Sequence, residues 1–258
     1  MSAPDEETAL LGLAPVAPDR SVAYGPHPDQ VLDLYGSWGA DAGPLVVLLH
    51  GGFWRAAYDR RHLSPLAAEL AGRGVPVALA EYRRVGAGGG APQTFEDVAA
   101  AVGAAVAEAG RAHRGVVLVG HSAGGHLALL TAARSESPAT RVLAVSPVAD
   151  LALAHELDLS DGAVAGLLGG DGPGFAERLA AADPLRHPPA GTTVTILHGT
   201  ADPDVPPELS RRYADAFPDA TDLHELPGVG HYAPVTPGTA ACRELLARVG
   251  TRGRSSVA

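Results

Sequence analysis

The chain has 258 residues, 46% of them hydrophobic, and a formal net charge of −10. That length and apolar content suit one α/β domain with a substantial core, and the acidic balance disfavours nucleic acid or an anionic membrane as partner. All 19 basic residues are arginine, which excludes Schiff-base chemistry, a pyridoxal phosphate lysine, a P-loop lysine and a Ser-Lys dyad.

In chain order, residues 1–20 combine Pro, Ala and the acidic Asp5, Glu6 and Glu7, and read as a weakly ordered leader. With no positive region before its short apolar stretch, this segment does not resemble a secretory signal. Strand-like pieces at Val22–Tyr24 and Val31–Tyr35 flank the turn-forming Gly25-Pro26-His27-Pro28-Asp29, so residues 21–36 predict an antiparallel hairpin. Leu45–Leu49 is a continuous apolar run, as expected of a strand buried on both faces. Apolar residues at helical spacing predict a helix over His62–Arg73, ended by Gly72 and Gly74, and Val75–Ala80 reads as the next buried strand. The glycine-rich Val85–Pro92 reads as a connection, since a phosphate loop would need a strand before it and a helix after it. Thr94 is the expected cap of a helix reaching about Arg114, with Glu96 and Asp97 in its first turn.

Val116–Val119 is a further strand, followed by Gly120-His121-Ser122-Ala123-Gly124 and the helical Leu127–Leu130. Arg141–Ser146 is the sixth strand. An insertion at 148–190 follows, with short helices expected at Leu151–Leu159 and Phe175–Ala182, and reads equally as a lid or pocket wall or as an inert excursion. Thr193–Leu197 and Leu223–Leu226 complete the strands, Gly238–Val249 is the last helix, and residues 251–258 read as a tail. Strands alternating with helices predict a mainly parallel sheet with helices on both faces, in one domain over 21–250. Cys242, the sole cysteine, excludes a disulfide within the chain and reads as a buried thiol. No apolar run reaches the roughly 18 residues that span a bilayer. A soluble cytoplasmic protein is expected.

A strand running into a helix through G-x-S-x-G is the context of a nucleophile elbow, which makes Ser122 the candidate nucleophile. A serine hydroxyl needs a histidine to take its proton and a carboxylate to orient that histidine. Of eleven histidines, His231 lies in a glycine-flanked loop directly after the last strand, and Asp202 lies in the loop after the preceding one. In a parallel sheet both loops open on the same carboxyl edge as the elbow. The order Ser122, Asp202, His231 is that of α/β-hydrolases. Asp204 is an alternative acid and Asp150 a weaker one, better suited to capping a helix. His126 is an alternative base that more readily packs beneath the elbow. His50-Gly51-Gly52-Phe53-Trp54 follows a central strand, and backbone N–H groups of Gly52, Phe53 and Ala123 are the expected oxyanion site. His50 is expected to prop that loop. Trp54 is a candidate substrate-binding residue with loop packing as its alternative. Arg55, Arg83 and Arg84 read as carboxylate binders or as structural ion pairs.

The succession His-Gly-Gly-Phe53-Trp54, Gly-His-Ser122-Ala-Gly, Asp202 and His231 resembles the α/β-hydrolase superfamily, and within it the kynurenine formamidase (arylformamidase) type, from about Val31 to Tyr232. Small bacterial carboxylesterases of related sequence share the tryptophan form of the first motif. The resemblance implies an α/β-hydrolase fold and a serine hydrolase that needs no cofactor, and with no H-E-x-x-H or comparable ligand spacing among the histidines no metal is expected. On it, hydrolysis of N-formylkynurenine in tryptophan catabolism is the first expectation. A short-chain carboxylesterase is the alternative, and a non-hydrolytic binder or lyase the second alternative. The expected partner is a small-molecule acyl substrate, with a homodimer left open.

Overall fold

The computed structural model describes residues 3–38, 43–110 and 113–250. Leu45–Leu49 (β3) and Val116–His121 (β5) lie side by side at its centre, in parallel, with Leu49 opposite Gly120. Around them an eight-stranded sheet runs in the order β1-β2-β4-β3-β5-β6-β7-β8. The other strands are Arg20–Ala23 (β1), Val31–Tyr35 (β2), Val77–Ala80 (β4), Ala139–Val145 (β6), Thr193–Gly199 (β7) and Thr221–Leu226 (β8). The expected hairpin is β1-β2, and β2 joins β4 antiparallel; every other pairing is parallel. With the flanking helices, this is the α/β-hydrolase fold.

Alternation along the strands divides the core into two layers. Leu45, Val47 and Leu49 of β3 and Val116 and Leu118 of β5 face one side, while Val46, Leu48, Val117 and Val119 face the other. On the first side pack Gln93–Ala109 (α3), Ala123–Ala132 (α4) and the helices that follow. On the second lie Ser64–Gly72 (α2), through Leu66, Ala67 and Leu70, and Ala240–Gly250 (α9), through Cys242, Leu245, Leu246 and Val249. Cys242 is the buried thiol expected, and burial pushes its pKa up to about 12.

Four expectations need correction. Residues 3–11, assigned by composition to a weakly ordered leader, form a helix (α1, Ala3–Leu11) whose Leu10 is buried in the second layer and whose Glu6 is buried against the loop that carries His231. Thr94 does not cap α3. Its hydroxyl donates to the Arg83 carbonyl (2.7 Å) and accepts from Gly90 N–H (3.0 Å), tying down the glycine-rich loop, while Pro92 occupies the cap position. That helix stops at Ala109 rather than near Arg114, because Gly110 turns the chain with φ 58°. The helix expected over Leu151–Leu159 ends at Glu156 (α5), and Asp158, Ser160 and Asp161 all take positive φ before Ala163–Leu167 (α6). Phe175–Ala182 (α7) and Glu208–Ala216 (α8) complete the helices named here. The insertion therefore consists of helices joined by a tightly turned segment. The proposed tail at 251–258 lies outside the described residues.

Candidate active site

The parallel registers place four loops on one edge. Leu49 opposite Gly120 puts the His50–Trp54 loop beside the Ser122 turn, and Gly199 opposite Leu226 puts the Asp202 loop beside the His231 loop. Ser122 forms the turn between β5 and α4 with φ 56° and ψ −118°, a left-handed conformation that side chains other than glycine rarely adopt. Its own N–H donates to Val145 O (2.8 Å), and its carbonyl accepts from His126 N–H (3.1 Å), so the surrounding strands and helix hold the turn in place. The flanking glycines permit close approach. A Cβ on Gly120 would lie 2.2 Å from Gly124 O, and one on Gly124 would lie 2.2 Å from Leu49 O.

The carboxylate of Asp202 is 2.7 Å from Nδ1 of His231, and both side chains are buried. The second carboxylate oxygen accepts from the N–H groups of Asp204 (3.0 Å) and Val205 (2.9 Å). His198 approaches from behind, with Nε2 3.3 Å from Asp202 and 2.9 Å from Val205 O, and Nδ1 2.6 Å from Ser210 Oγ. Burial works against ionisation of Asp202, but the hydrogen bonds from His198 and His231 outweigh it and hold the carboxyl well below the usual range. Asp202 is therefore an anion aimed at His231. Asp204, the alternative acid, lies on the wall of the cavity. Asp150 caps α5 by accepting from Leu153 N–H (2.8 Å) and pairs with Arg212.

Ser122 and His231 open on one cavity of about 170 Å³, whose walls include Gly52, Phe53, Tyr58, His121, Ser160 and Tyr232. The backbone N–H groups of Gly52, Phe53 and Ala123 donate to no backbone acceptor among the described residues. Gly52 (φ 108°), Phe53 (φ 47°) and Trp54 (φ 58°) form a run of left-handed backbone. Beneath this run, His50 places Nδ1 2.7 Å from Gly51 O and Nε2 2.7 Å from Glu81, stacks on Tyr82 at 4.5 Å, and accepts at its carbonyl from the Tyr82 hydroxyl. Glu81 also accepts from Arg60 N–H (3.0 Å) and Tyr82 N–H (3.1 Å). Burial opposes its charge, yet His50 and Arg84 lower its pKa to about 2. His50 thus props the loop, as expected.

Trp54 and the three arginines, the candidate substrate contacts, lie elsewhere. Trp54 is not on the cavity wall but buried in the first core layer, edge-on to His126 at 5.2 Å, because its backbone turns the indole under the loop. The arginines are engaged in structure. Arg83 forms a two-pronged pair with Asp97, Arg84 meets Asp29, Glu81 and the Tyr58 carbonyl, and Arg55 donates to the carbonyls of Ser160 and Asp161. His126 is not the base: its Nε2 donates to Ala182 O (2.9 Å), and burial lowers its pKa to about 4.

The sequence reading missed His121, His62, Tyr58, Ser160 and the α1 side chains Glu7 and Leu11, all on the cavity wall. His121 lies inside the pentapeptide and could have been noticed there. Its Nε2 donates to the His231 carbonyl (3.0 Å), and burial, reinforced by the nearby His231, pushes its pKa far down. Among the described residues the one group with three mutually close metal-ligating atoms is Asp202, Asp204 and His231. No helix among the described residues is long and apolar enough to cross a membrane.

Comparisons with known proteins find the same fold. Among solved structures, a truncated carbohydrate esterase from gut microbiota is 20% identical, with 92% of this chain and 98% of that one covered at a TM-score of 0.75. Esterase B from Lactobacillus rhamnosis is 21% identical over 96% and 89% of the chains (TM-score 0.76). These two share the fold. The esterase Est2 of the planctomycete Thermogutta terrifontis, in a structure with butyrate bound, is 27% identical over 89% and 91% (TM-score 0.66). No curated protein matches the chain. The sequence model of the BD-FAE family spans residues 32–217, most of the described fold including the His50–Trp54 loop, the Ser122 turn and Asp202. The chain belongs to the BD-FAE family, esterase-like hydrolases of the α/β-hydrolase fold.

Proposed function

We propose that the protein is a short-chain carboxylesterase working through an acyl-enzyme on Ser122. The observation that carries this reading is the Asp202–His231 pair at 2.7 Å, opening with Ser122 on one small cavity beside free backbone N–H groups. His231 takes the Ser122 proton as the hydroxyl oxygen attacks the ester carbonyl carbon. The carbonyl oxygen becomes negative and is held by N–H groups of Gly52, Phe53 and Ala123. Collapse breaks the bond to the alcohol, which leaves with the proton from His231. A water then gives its proton to His231, attacks the acyl-enzyme, and releases the acid and free Ser122. Asp202 stays ionised throughout and stabilises the imidazolium.

Two observations support the ester over N-formylkynurenine, the first expectation from sequence. Est2 of T. terrifontis, 26% identical in the structure with propionate bound and 27% in that with butyrate bound, is an esterase seen with short acyl groups. N-formylkynurenine also carries a carboxylate beside its ammonium, and although Glu7 and Asp204 could face the ammonium, the cavity wall offers the carboxylate no arginine among the described residues, Arg55, Arg83 and Arg84 being occupied elsewhere. The substrate class that fits is a neutral ester with a small acyl group.

The deciding experiment compares kcat/KM for aryl acetate, propionate, butyrate and octanoate with that for N-formylkynurenine. Efficient cleavage of the two-to-four-carbon esters is expected, with a steep fall at octanoate and at least 100-fold weaker turnover of the formamide. Faster formamide than ester cleavage would overturn the reading in favour of the formamidase. Absence of hydrolysis, together with no labelling of Ser122 by a fluorophosphonate, would favour the binder or lyase.

A further inference from the structure

Glu6 is separated from the His231 loop by more than two hundred residues of chain, yet its carboxylate is the main acceptor for that loop. Oε1 accepts from Gly230 N–H (3.0 Å), and Oε2 accepts from Ala233 N–H (3.0 Å) and Tyr232 N–H (3.2 Å). The side chain is buried, and Leu10, one turn further along α1, anchors the helix in the core. A second observation points to the same seat: a Cβ on Gly230 would lie 2.7 Å from Oε2, so the carboxylate occupies the space where any other residue would have its side chain. Two of these donors, Gly230 and Tyr232, immediately flank His231, and the third, Ala233, follows them. The His231 carbonyl is taken by His121 Nε2 and its Nδ1 by Asp202, so backbone and ring are held from three directions. An anion suits this position because a carboxylate offers only acceptor lone pairs to converging N–H donors. An amide cannot replace it, since its NH₂ would face one of them.

We infer that Glu6 is the positioning residue for His231, and that α1 is part of the active site rather than a leader. This rests on His231 being the catalytic base. Glu6 makes no contact with substrate in the arrangement described; it acts through the loop. Its neighbours on the same helix, Glu7 and Leu11, wall the cavity, so displacement of α1 opens the site as well as loosening the base.

Two variants reach the contact independently. Glu6→Gln keeps the shape and turns one acceptor into a donor. Gly230→Ala expels the carboxylate from the other side, at a position whose φ lies outside the left-handed region and so tolerates alanine without backbone strain. Each should lower kcat 10- to 100-fold with KM changed less than three-fold, after normalisation to folded protein. The double variant should be little worse than either single one, because both remove the same interaction. Proton NMR of the full-length protein supplies a readout independent of turnover: the downfield His231 Nδ1–H resonance, sharp in the parent, should broaden or vanish in both variants.

Parent-like kcat in Glu6→Gln, or a resonance that stays sharp in both variants, would overturn the inference. So would losses that track only the fraction unfolded, or effects that multiply in the double variant. If the parent shows the resonance but neither hydrolyses esters nor labels with fluorophosphonate, the functional reading fails while the resonance still tests the positioning role.

Discussion

The left-handed elbow at Ser122 predicts a measurable trade between activity and stability. A non-glycine residue held in such a conformation costs on the order of 1–3 kcal/mol, and Ser122 is held at φ 56° and ψ −118° by bonds to Val145, His126 and Val148 that involve only its backbone. Ser122→Ala removes the nucleophile and keeps the Cβ, so it should abolish hydrolysis and leave stability near that of the parent. Ser122→Gly also abolishes hydrolysis but removes the Cβ that makes the conformation costly. Glycine raises the entropy of the unfolded chain, which offsets roughly 0.4–1 kcal/mol of the gain. The glycine variant should therefore exceed the alanine variant by about 0.5–2 kcal/mol, a rise in Tm of roughly 1–8 °C for a domain of this size. Urea unfolding and thermal melts of the two inactive proteins, side by side, measure this difference. A glycine variant equal to or less stable than the alanine variant would refute the claim that the elbow stores strain.

Other outcomes follow from the same geometry. Asp202→Asn should lower kcat by about 10⁴-fold by removing the anion that orients His231, whereas Asp204→Asn should change it less than ten-fold; similar losses in steady-state assays would reassign the acid. Glu81→Gln should cost roughly 10- to 100-fold in kcat, less than the roughly 10²–10³-fold for losing an oxyanion donor outright, because it loosens the His50 prop 2.7 Å away; a change confined to KM would argue against that role. Stability should fall on acidification between about pH 6.5 and pH 4. His126 has its pKa lowered from 6.5 to about 4, so in that window the unfolded chain binds a proton the folded chain does not, and stability rises with pH. The full depression corresponds to about 3 kcal/mol at 1.36 kcal/mol per unit. His126→Gln, which keeps an N–H for Ala182 O, should flatten that limb of the curve in pH-dependent urea titrations, and an unchanged limb would contradict it. Trp54→Ala should destabilise by about 3–5 kcal/mol as a core truncation, with a loss of stability under 1 kcal/mol returning Trp54 to the cavity wall.

Local chemistry made much of this protein legible from residues alone. Runs such as Leu45–Leu49 and Val116–Val119 can only be satisfied as strands buried on both faces, and alternation with helices then dictates a parallel sheet. A parallel sheet collects the loops after its strands on one edge, which is why Ser122, Asp202, His231 and the His50–Trp54 loop could be gathered without coordinates. What stayed hidden was which way side chains turn and what they meet. Trp54 and Phe53 are adjacent in sequence, yet left-handed backbone sends one into the core and leaves the other on the cavity. Arg55, Arg83 and Arg84 are identical in type to substrate-binding arginines, and only their carboxylate and carbonyl partners show them to be occupied. Glu6 was least legible of all. Its acidic neighbours resemble a solvated leader, and burying a carboxylate becomes favourable only when N–H groups from the opposite end of the chain converge on it. The sequence determined the fold and the candidate residues of the site through local patterning, whereas tertiary structure decided how those residues are held, because long-range packing brings donor and acceptor together and leaves no periodic signal in the chain.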